Sequence, residues 1–169
     1  MRRYLLVALL VLPFAACDSS DPMGNEIRTV FITEIEIEQA PLTRPDGSDW
    51  DDHILGIGNE PDIYFDLINA DTFGITESTL GEDFANVDNQ DFPLVWLYDP
   101  GIDFAFFSTS LAFRIWDSDD KNDPTESDEM GITQAFTIQQ LIDSGSPSLF
   151  TIQSASGLIS VRIRLRYER

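Results

Sequence analysis

The chain has 169 residues, and its 30 Asp and Glu against 10 Lys and Arg give a formal net charge of -20 at pH 7. This charge disfavours nucleic acid as a partner and gives no attraction to anionic lipid, because basic side chains must neutralise the phosphates of both. The 43% hydrophobic content, with 12 Phe and 3 Trp, is enough for one packed core in a single domain. The single cysteine excludes an internal disulfide and a cysteine-rich zinc site.

Residues 1–16 are predicted to be a lipoprotein signal peptide. Met1-Arg2-Arg3 is a short basic start, and the apolar run over 4–14 is too short to span a bilayer as a stable helix. Two alanines directly precede Cys17, an arrangement that resembles the lipobox of bacterial lipoproteins. In that family the cysteine is diacylated and becomes the first residue of the mature protein. The alternative is an ordinary signal peptide cut before Cys17, which would leave a free thiol.

Residues 17–27 are predicted to be the lipidated cysteine and a flexible tether. Positions 18–25 are mostly polar and contain Asp, Ser, Pro and Gly, so they cannot bury much apolar surface. The lipobox resemblance implies a protein of the bacterial cell envelope that is attached to the membrane through Cys17 and faces the periplasm or the exterior. Calcium is available to a protein in that location.

From Arg28 onward the apolar residues recur with period two, which predicts an all-β domain over 28–169. One face of the first strand is predicted to carry Phe31, Thr33, Ile35 and Ile37. The other face is predicted to carry Ile32, Glu34, Glu36 and Glu38. Further apolar or alternating segments follow at 63–68, 94–98, 104–107, 111–116 and 159–167. Turn-forming residues separate these segments, as in an antiparallel β-sandwich.

One short helix is predicted near 137–143, between the last two alternating segments. Thr137 and Gln140 fit a capping box, in which each side chain accepts a hydrogen bond from a free amide at the helix start. Ile138, Leu141 and Ile142 are then on the face that packs against the sandwich.

Charged residues with period two mark both the first and the last predicted strand. The last strand carries Arg162, Arg164 and Arg166. The first strand carries Glu34, Glu36 and Glu38. If the two strands are neighbours, opposite charges face each other, and each pair contributes about 0.2–1 kcal/mol. We therefore interpret the arginines as a pairing device for the strands rather than as a patch for acidic ligands.

Two clusters of acidic residues lie between predicted strands. The first extends over 46–62, and the second, over 117–129, has seven acids in thirteen residues. Carboxylates gathered this closely repel one another, which favours protonation or a bound cation. Calcium fits such loops, because it takes about six to eight oxygen ligands in adaptable geometry. The spacing does not match an EF-hand, since no glycine occupies the sixth loop position. We therefore expect Ca²⁺ as a cofactor.

Three segments resemble motifs of C2 domains, a family of β-sandwich modules that includes calcium-dependent members. Asp62-Ile63-Tyr64-Phe65-Asp66-Leu67 resembles the D-P-Y-V-x-V start of a C2 strand. The segment 111–119 resembles the L-x-x-x-V-x-D-x-D strand end, and Asp128-Glu129-Met130-Gly131 matches D-x-x-G. The resemblance covers roughly 28–169 and implies a C2-like β-sandwich with its last strand at the C-terminus.

The resemblance implies a calcium site at one tip of the sandwich, where two loops meet. By motif match the ligands are Asp62 from the first loop and Asp117, Asp119 and Asp128 from the third. The position of the remaining first-loop ligand is Gly56 here, so Asp51 or Asp52 is expected to substitute for it. The gap between Asp117 and Asp128 is longer than usual in the family, so Asp123 competes with Asp128 for the last position.

Calcium-dependent C2 domains often dock on phospholipid, so phospholipid or a surface protein is the expected partner. Ile54, Leu55 and Ile57 lie in the first loop and are either an apolar tip for lipid or a cap on the end of the sandwich. No basic cluster supports lipid docking, and the anchor at Cys17 already supplies membrane attachment.

The chain is not predicted to be an enzyme. Its one histidine is His53, and it contains neither a G-x-S-x-G nucleophile elbow nor an H-E-x-x-H helix. The alternative function is a non-catalytic acidic β-sandwich that binds carbohydrate or protein without a functional calcium site. An exposed aromatic side chain beside the acids would favour that alternative, and Trp50 is the candidate.

Overall fold

A computed structural model describes residues 26–51, 60–119 and 123–169 of the chain. Two antiparallel sheets pack as a sandwich, and strands account for 49% of the residues that the structure describes, which also include one short α-helix. The predicted all-β sandwich is therefore confirmed. Among the described residues no helix is long and apolar enough to cross a membrane.

Nine strands form the two sheets in the part of the chain that the structure describes. In spatial order the first sheet contains β4 (Leu94–Phe104), β1 (Thr29–Gln39), β9 (Ser160–Glu168) and β8 (Leu149–Gln153). The second contains β3 (Ile75–Ser78), β2 (Ile63–Asn69), β5 (Ser110–Ser118) and β6 (Ser127–Ile132), with β7 (Phe136–Thr137) also paired to β5. The strands β3, β6, β7 and β8 are not among the predicted segments, because they are short and lack a clean period-two pattern.

The core lies between the inner faces of the two sheets. Phe65 of β2 is central to it, with its ring 5.6 Å from that of Phe113 and 5.0 Å from that of Trp96. Ile35 and Ile163, opposite each other on β1 and β9, are fully buried on the facing sheet. Each such side chain contributes about 1.5–3 kcal/mol by leaving water. The packed core fixes the ends of the strands, which carry the acidic residues.

A β-bulge in β1 makes part of the predicted face assignment wrong. The register of β1 shifts between Ile32 and Glu34, both against β9 and against β4. Because the extra residue reverses the alternation, Ile32 is fully buried together with Ile35, while Phe31 and Thr33 are only partly buried. Period two therefore predicts the strand but not the irregularity within it.

The two apolar runs over 94–98 and 104–107 look alike in the sequence, but they do not form two separate strands. The first begins β4, which extends to Phe104, although its pairing with β1 is interrupted between Leu97 and Ile102. The rest of the second run follows the end of that strand, and Phe106 is 81% exposed. Apolar composition alone does not distinguish a buried strand from an exposed connection.

The helix α1 (Ile138–Asp143) confirms the prediction near 137–143. The amide of Gln140 donates to the Thr137 side chain at 3.1 Å, and the amide of Thr137 donates to the Gln140 side chain at 2.9 Å. This reciprocal pair is the expected capping box. Ile138 and Leu141 are buried as predicted, and Ile142 is partly buried against the core.

The charged stripes pair across β1 and β9, which are neighbours in the first sheet. Glu34 lies opposite Arg164, and their side chains meet at 2.9 Å. Glu36 lies opposite Arg162, which donates to it and also contacts Glu38 at 2.7 Å. The interpretation as a strand-pairing device is confirmed.

Gly101 in β4 is the glycine of the first sheet whose replacement we expect to destabilise the protein most. Its φ of +120° is unfavourable for other residues, and a Cβ atom there would lie 2.9 Å from Cβ of Phe31. We expect Gly101→Ala to lower the free energy of unfolding by about 3 kcal/mol. Gly157→Ala is the control, because its φ of +74° is also positive but no atom lies within 4 Å. Equal losses in urea denaturation would contradict the role of the Phe31 contact.

Arg162 is predicted to be the most important arginine of the charged ladder, because its partner Glu36 is only 7% exposed. Arg162→Met leaves that carboxylate without its ion pair, and we expect a loss of about 2 kcal/mol of unfolding free energy. Arg164→Met disrupts a more exposed pair and should cost less than about 1 kcal/mol. The double variant Glu36→Met, Arg162→Met should regain most of the loss in the same denaturation assay, and failure to regain it would argue against an unpaired carboxylate as the cause.

Candidate metal centre

Three aspartates from two loops meet at one end of the sandwich. Asp117 and Asp119 lie at the end of β5, and the connection after β1 supplies Asp51. One carboxylate oxygen of each lies within 4.8 Å of the others. We refer to Asp51, Asp117 and Asp119 as the acidic cluster.

The alternation of β5 directs Asp117 toward the space between the sheets. Phe113 and Ile115 precede it on the inner face and are fully buried, and Asp117 itself is 0% exposed. The start of β2 closes around it, since the amide of Asp62 donates to Oδ1 of Asp117 at 2.8 Å. The amide of Ser118 in turn donates to the Asp62 carbonyl at 2.8 Å. The position of this carboxylate is thus fixed by the pairing of two core strands.

The second oxygen of Asp117 is the unusual feature of the cluster. Oδ2 is buried and has no hydrogen-bond partner within the described residues. Burial is the main cause that raises the pKa of Asp117 to about 7. The hydrogen bond from Asp62 lowers this pKa, and the nearby carboxylates of Asp51, Asp119 and Asp62 contribute to raising it. A negative charge on this group is therefore unfavourable unless a cation offsets it.

Arg44 holds the segment that carries Asp51. Its guanidinium donates to the Trp50 carbonyl at 2.6 Å and to Oδ2 of Asp128 at 2.5 Å. It also lies over the Trp50 ring, 5.6 Å from the centroid. The indole of Trp50 is 4% exposed and donates to the Pro41 carbonyl at 2.9 Å. These contacts place Asp51, the next residue, beside the end of β5.

Arg44 is the residue of this region that the sequence did not predict. Its ion pair with Asp128 joins residues that are 84 positions apart in the chain. No local spacing indicates such a contact. The only sequence signal is a single arginine within a strongly acidic segment.

The structure brings together three of the six predicted calcium ligands. Asp62 adjoins them, but its Oδ1 accepts a hydrogen bond from the Asn86 amide at 2.7 Å. Asp128 lies opposite Asp117 on β6, and its side chain forms an ion pair with Arg44. Asp128 is therefore on a strand, not in the loop that the sequence suggested, because β6 begins at Ser127. Asp52 lies outside the described residues.

Asp123, the predicted competitor of Asp128, has a local structural role. Its Oδ1 accepts hydrogen bonds from the amide and the hydroxyl of Thr125, at 2.9 and 2.7 Å. These bonds lower the pKa of the Asp123 carboxyl and cap the short 3-10 helix Pro124–Glu126.

Several other predictions fall outside the described residues. They concern Cys17, His53 and the apolar group Ile54, Leu55 and Ile57. Trp50 is described and is buried, so it does not provide the exposed aromatic surface that would favour carbohydrate binding.

Comparisons with known proteins give no family. No protein-family model matches the chain, and a search of curated proteins finds no match either. A functional assignment therefore depends on the fold and on the geometry of the acidic cluster.

Asp117→Asn is predicted to stabilise the protein in the absence of divalent cations. The amide keeps Oδ1 as an acceptor for Asp62 and places a donor beside the other two carboxylates. We expect the free energy of unfolding in a chelator at pH 8 to rise by about 1–3 kcal/mol. Asp119→Asn is the control, because that exposed side chain gains less from losing its charge. A lower stability of Asp117→Asn than of the wild type would contradict a repulsive, unpartnered carboxylate.

Proposed function

We propose that this chain is a membrane-anchored, extracytoplasmic calcium-binding module with a C2-like sandwich, which binds lipid or protein in a calcium-dependent manner. The observation that carries the proposal is the buried carboxylate of Asp117. Its Oδ2 is unpartnered within the described residues. One carboxylate oxygen of Asp117 lies within 4.8 Å of carboxylate oxygens of Asp51 and Asp119.

The acidic cluster fits calcium in size and in ligand type. Calcium binds oxygens at about 2.3–2.6 Å, so two ligands on opposite sides of one ion are about 5 Å apart. The three carboxylate oxygens of the acidic cluster, all within 4.8 Å, fall inside that limit. Asp62 and Asp128 are close enough in the fold to add oxygens, and Asp52 follows Asp51 in the sequence. The ion supplies the positive charge that this group of acids lacks.

The strand pairing supports the C2 resemblance. The segment Asp62–Leu67 contains most of β2, and the segment 111–119 contains most of β5. These two strands pair directly, with Ile63 opposite Asp117. The aspartates of both motifs therefore lie at the same end of the sandwich. The last strand lies beside the first, as the resemblance implies.

The anchoring part of the proposal rests on the sequence around Cys17. The lipobox-like residues before Cys17 support a location in the bacterial cell envelope, with the protein attached to a membrane and facing the periplasm or the exterior. Phospholipid and a surface protein are both partners that a calcium-loaded tip would bind there.

A second candidate is a sandwich that binds carbohydrate or protein without a functional calcium site. It is favoured by an open cleft of about 660 Å³ between β7, α1 and β8. Uncharged polar side chains line much of it, among them Gln134, Gln140, Thr151 and Gln153. Phe150 adds a half-buried aromatic ring. Amide and hydroxyl groups beside a ring suit a neutral ligand.

Calcium titration separates the two candidates. We use the chain from residue 17 with Cys17→Ser, which is not lipidated. Extracellular calcium modules have dissociation constants of about 10⁻⁴–10⁻³ M, so about 5 mM calcium should stabilise the protein by about 1–2 kcal/mol. We expect saturable heat in isothermal titration and a rise of about 5 °C in Tm.

Asp51→Asn should abolish most of both responses. Asp71→Asn is the matched control, because it removes the same charge from an exposed turn at the other end of the second sheet. The absence of heat and of thermal stabilisation in the wild type at several millimolar calcium would reject the calcium site and leave the second candidate.

A further inference from the structure

The first residues of the described chain lie at the end of the sandwich that is opposite to the acidic cluster. In the second sheet Ile63 pairs with Asp117 at the cluster, and Asn69 pairs with Leu111 at the far end. The connection over 105–109 joins the start of β5 at that far end to Phe104 of β4. Because Phe104 pairs with Val30, the start of β1 is also at the far end.

Two further contacts place residues 26–28 at this far end. Ile27 and Phe107 line the same small cleft, and the amide of Arg28 donates to the Glu168 carbonyl at 2.8 Å. We call this end, formed by 26–28, the turn 70–74 and the connection 105–109, the tether end.

The tether end exposes two large aromatic side chains. Phe106 is 81% exposed, the highest value among the large hydrophobic residues that the structure describes, and Phe73 is 60% exposed. Their segments adjoin, since the amide of Ala70 donates to the Ser110 carbonyl at 2.8 Å. Exposed apolar side chains on adjoining turns are typical of contact with lipid or with another protein.

Chain length limits which end can reach an anchoring bilayer. Nine residue steps separate Cys17 from Glu26, and they span at most about 30 Å even when fully extended. The 11 residues of β1 span about 33 Å from the first to the last, because ten residue steps of about 3.3 Å separate them. Suppose that the acidic cluster lay on the bilayer, with the strands perpendicular to the surface. Glu26 would then be separated from the surface by about the full extended length of the segment from Cys17 to Glu26.

We propose that the tether end rests on the bilayer to which Cys17 is attached, with Phe73 and Phe106 as its lipid contacts. The acidic cluster then faces away from that membrane and binds a protein outside it. The inference rests on the proposed lipidation of Cys17, and it narrows the calcium-dependent partner to a protein.

The contact is apolar rather than electrostatic. Arg28 and Arg169 lie at the tether end, but so do the acidic residues Glu26, Asp71 and Glu168. Because these acidic residues outnumber the arginines, the tether end does not attract anionic lipid. Vesicles of zwitterionic phosphatidylcholine should therefore support the same orientation.

Fluorescence quenching by brominated lipid tests the orientation. The chain from residue 17 is coupled through Cys17 to a maleimide phospholipid in phosphatidylcholine vesicles, which replaces the acyl anchor chemically. Phe106→Trp should show several-fold more quenching than the wild type, whose own tryptophans provide the background. Leu158→Trp is the matched control, because Leu158 is also exposed but precedes the start of β9, which pairs with the end of β1. It should show no more quenching than the wild type.

The outcomes distinguish this inference from the proposed function. Quenching of Leu158→Trp equal to that of Phe106→Trp, or no quenching of either above the background, would overturn the orientation. Adding Phe73→Ser to Phe106→Trp should reduce the quenching, because Phe73 is the second lipid contact. Unchanged quenching would contradict that role of Phe73. Because the anchor is chemical and calcium is absent, a failure of calcium binding or of acylation in cells leaves this result unaffected.

Discussion

The pairing of β1 with β9 is the interaction on which the arrangement of the molecule depends. Glu36 is nearly buried on the outer face of the first sheet and accepts from Arg162, while the inner faces of the same two strands contribute Ile35 and Ile163 to the core. Opposite charges and apolar side chains therefore specify the same register. Because β1 is central in its sheet, this register also fixes where the chain leaves it, with residue 26 at one end and the connection to Asp51 at the other.

The acidic cluster works against stability in the absence of a cation. Asp117 is held by the amide of Asp62, yet its other oxygen is buried without a partner among the described residues. The carboxyl group of Asp117 also lies beside two further carboxylates. Arg44 does not relieve this repulsion, because its guanidinium binds Asp128 and the Trp50 carbonyl. Carboxyl groups whose pKa is strongly raised are concentrated at functional sites in proteins. The same fold that builds a stable core thus concentrates its unfavourable electrostatics at one tip.

Local patterns predicted much of the fold because their physical causes are local. The capping box at Thr137 involves residues within one turn of chain, and the alternation in β9 follows directly from strand geometry. The bulge after Ile32 was not predictable, because it depends on the strands on both sides of β1. The same holds for β6, because its charged residues do not predict a strand. The strand is recognised only from its pairing with β5.

The sequence by itself determined the all-β class, the short helix, the pairing of the charged stripes and the region in which acidic residues gather. Only the tertiary structure decided which acids meet. It brought Asp51 to Asp117 and Asp119, turned Asp128 toward Arg44, and left Asp123 to cap a short helix. The reason is that side-chain type and hydrophobic period are properties of residues that are neighbours in the sequence. A site is formed by contacts between segments far apart in the chain, and those contacts depend on the register of whole strands.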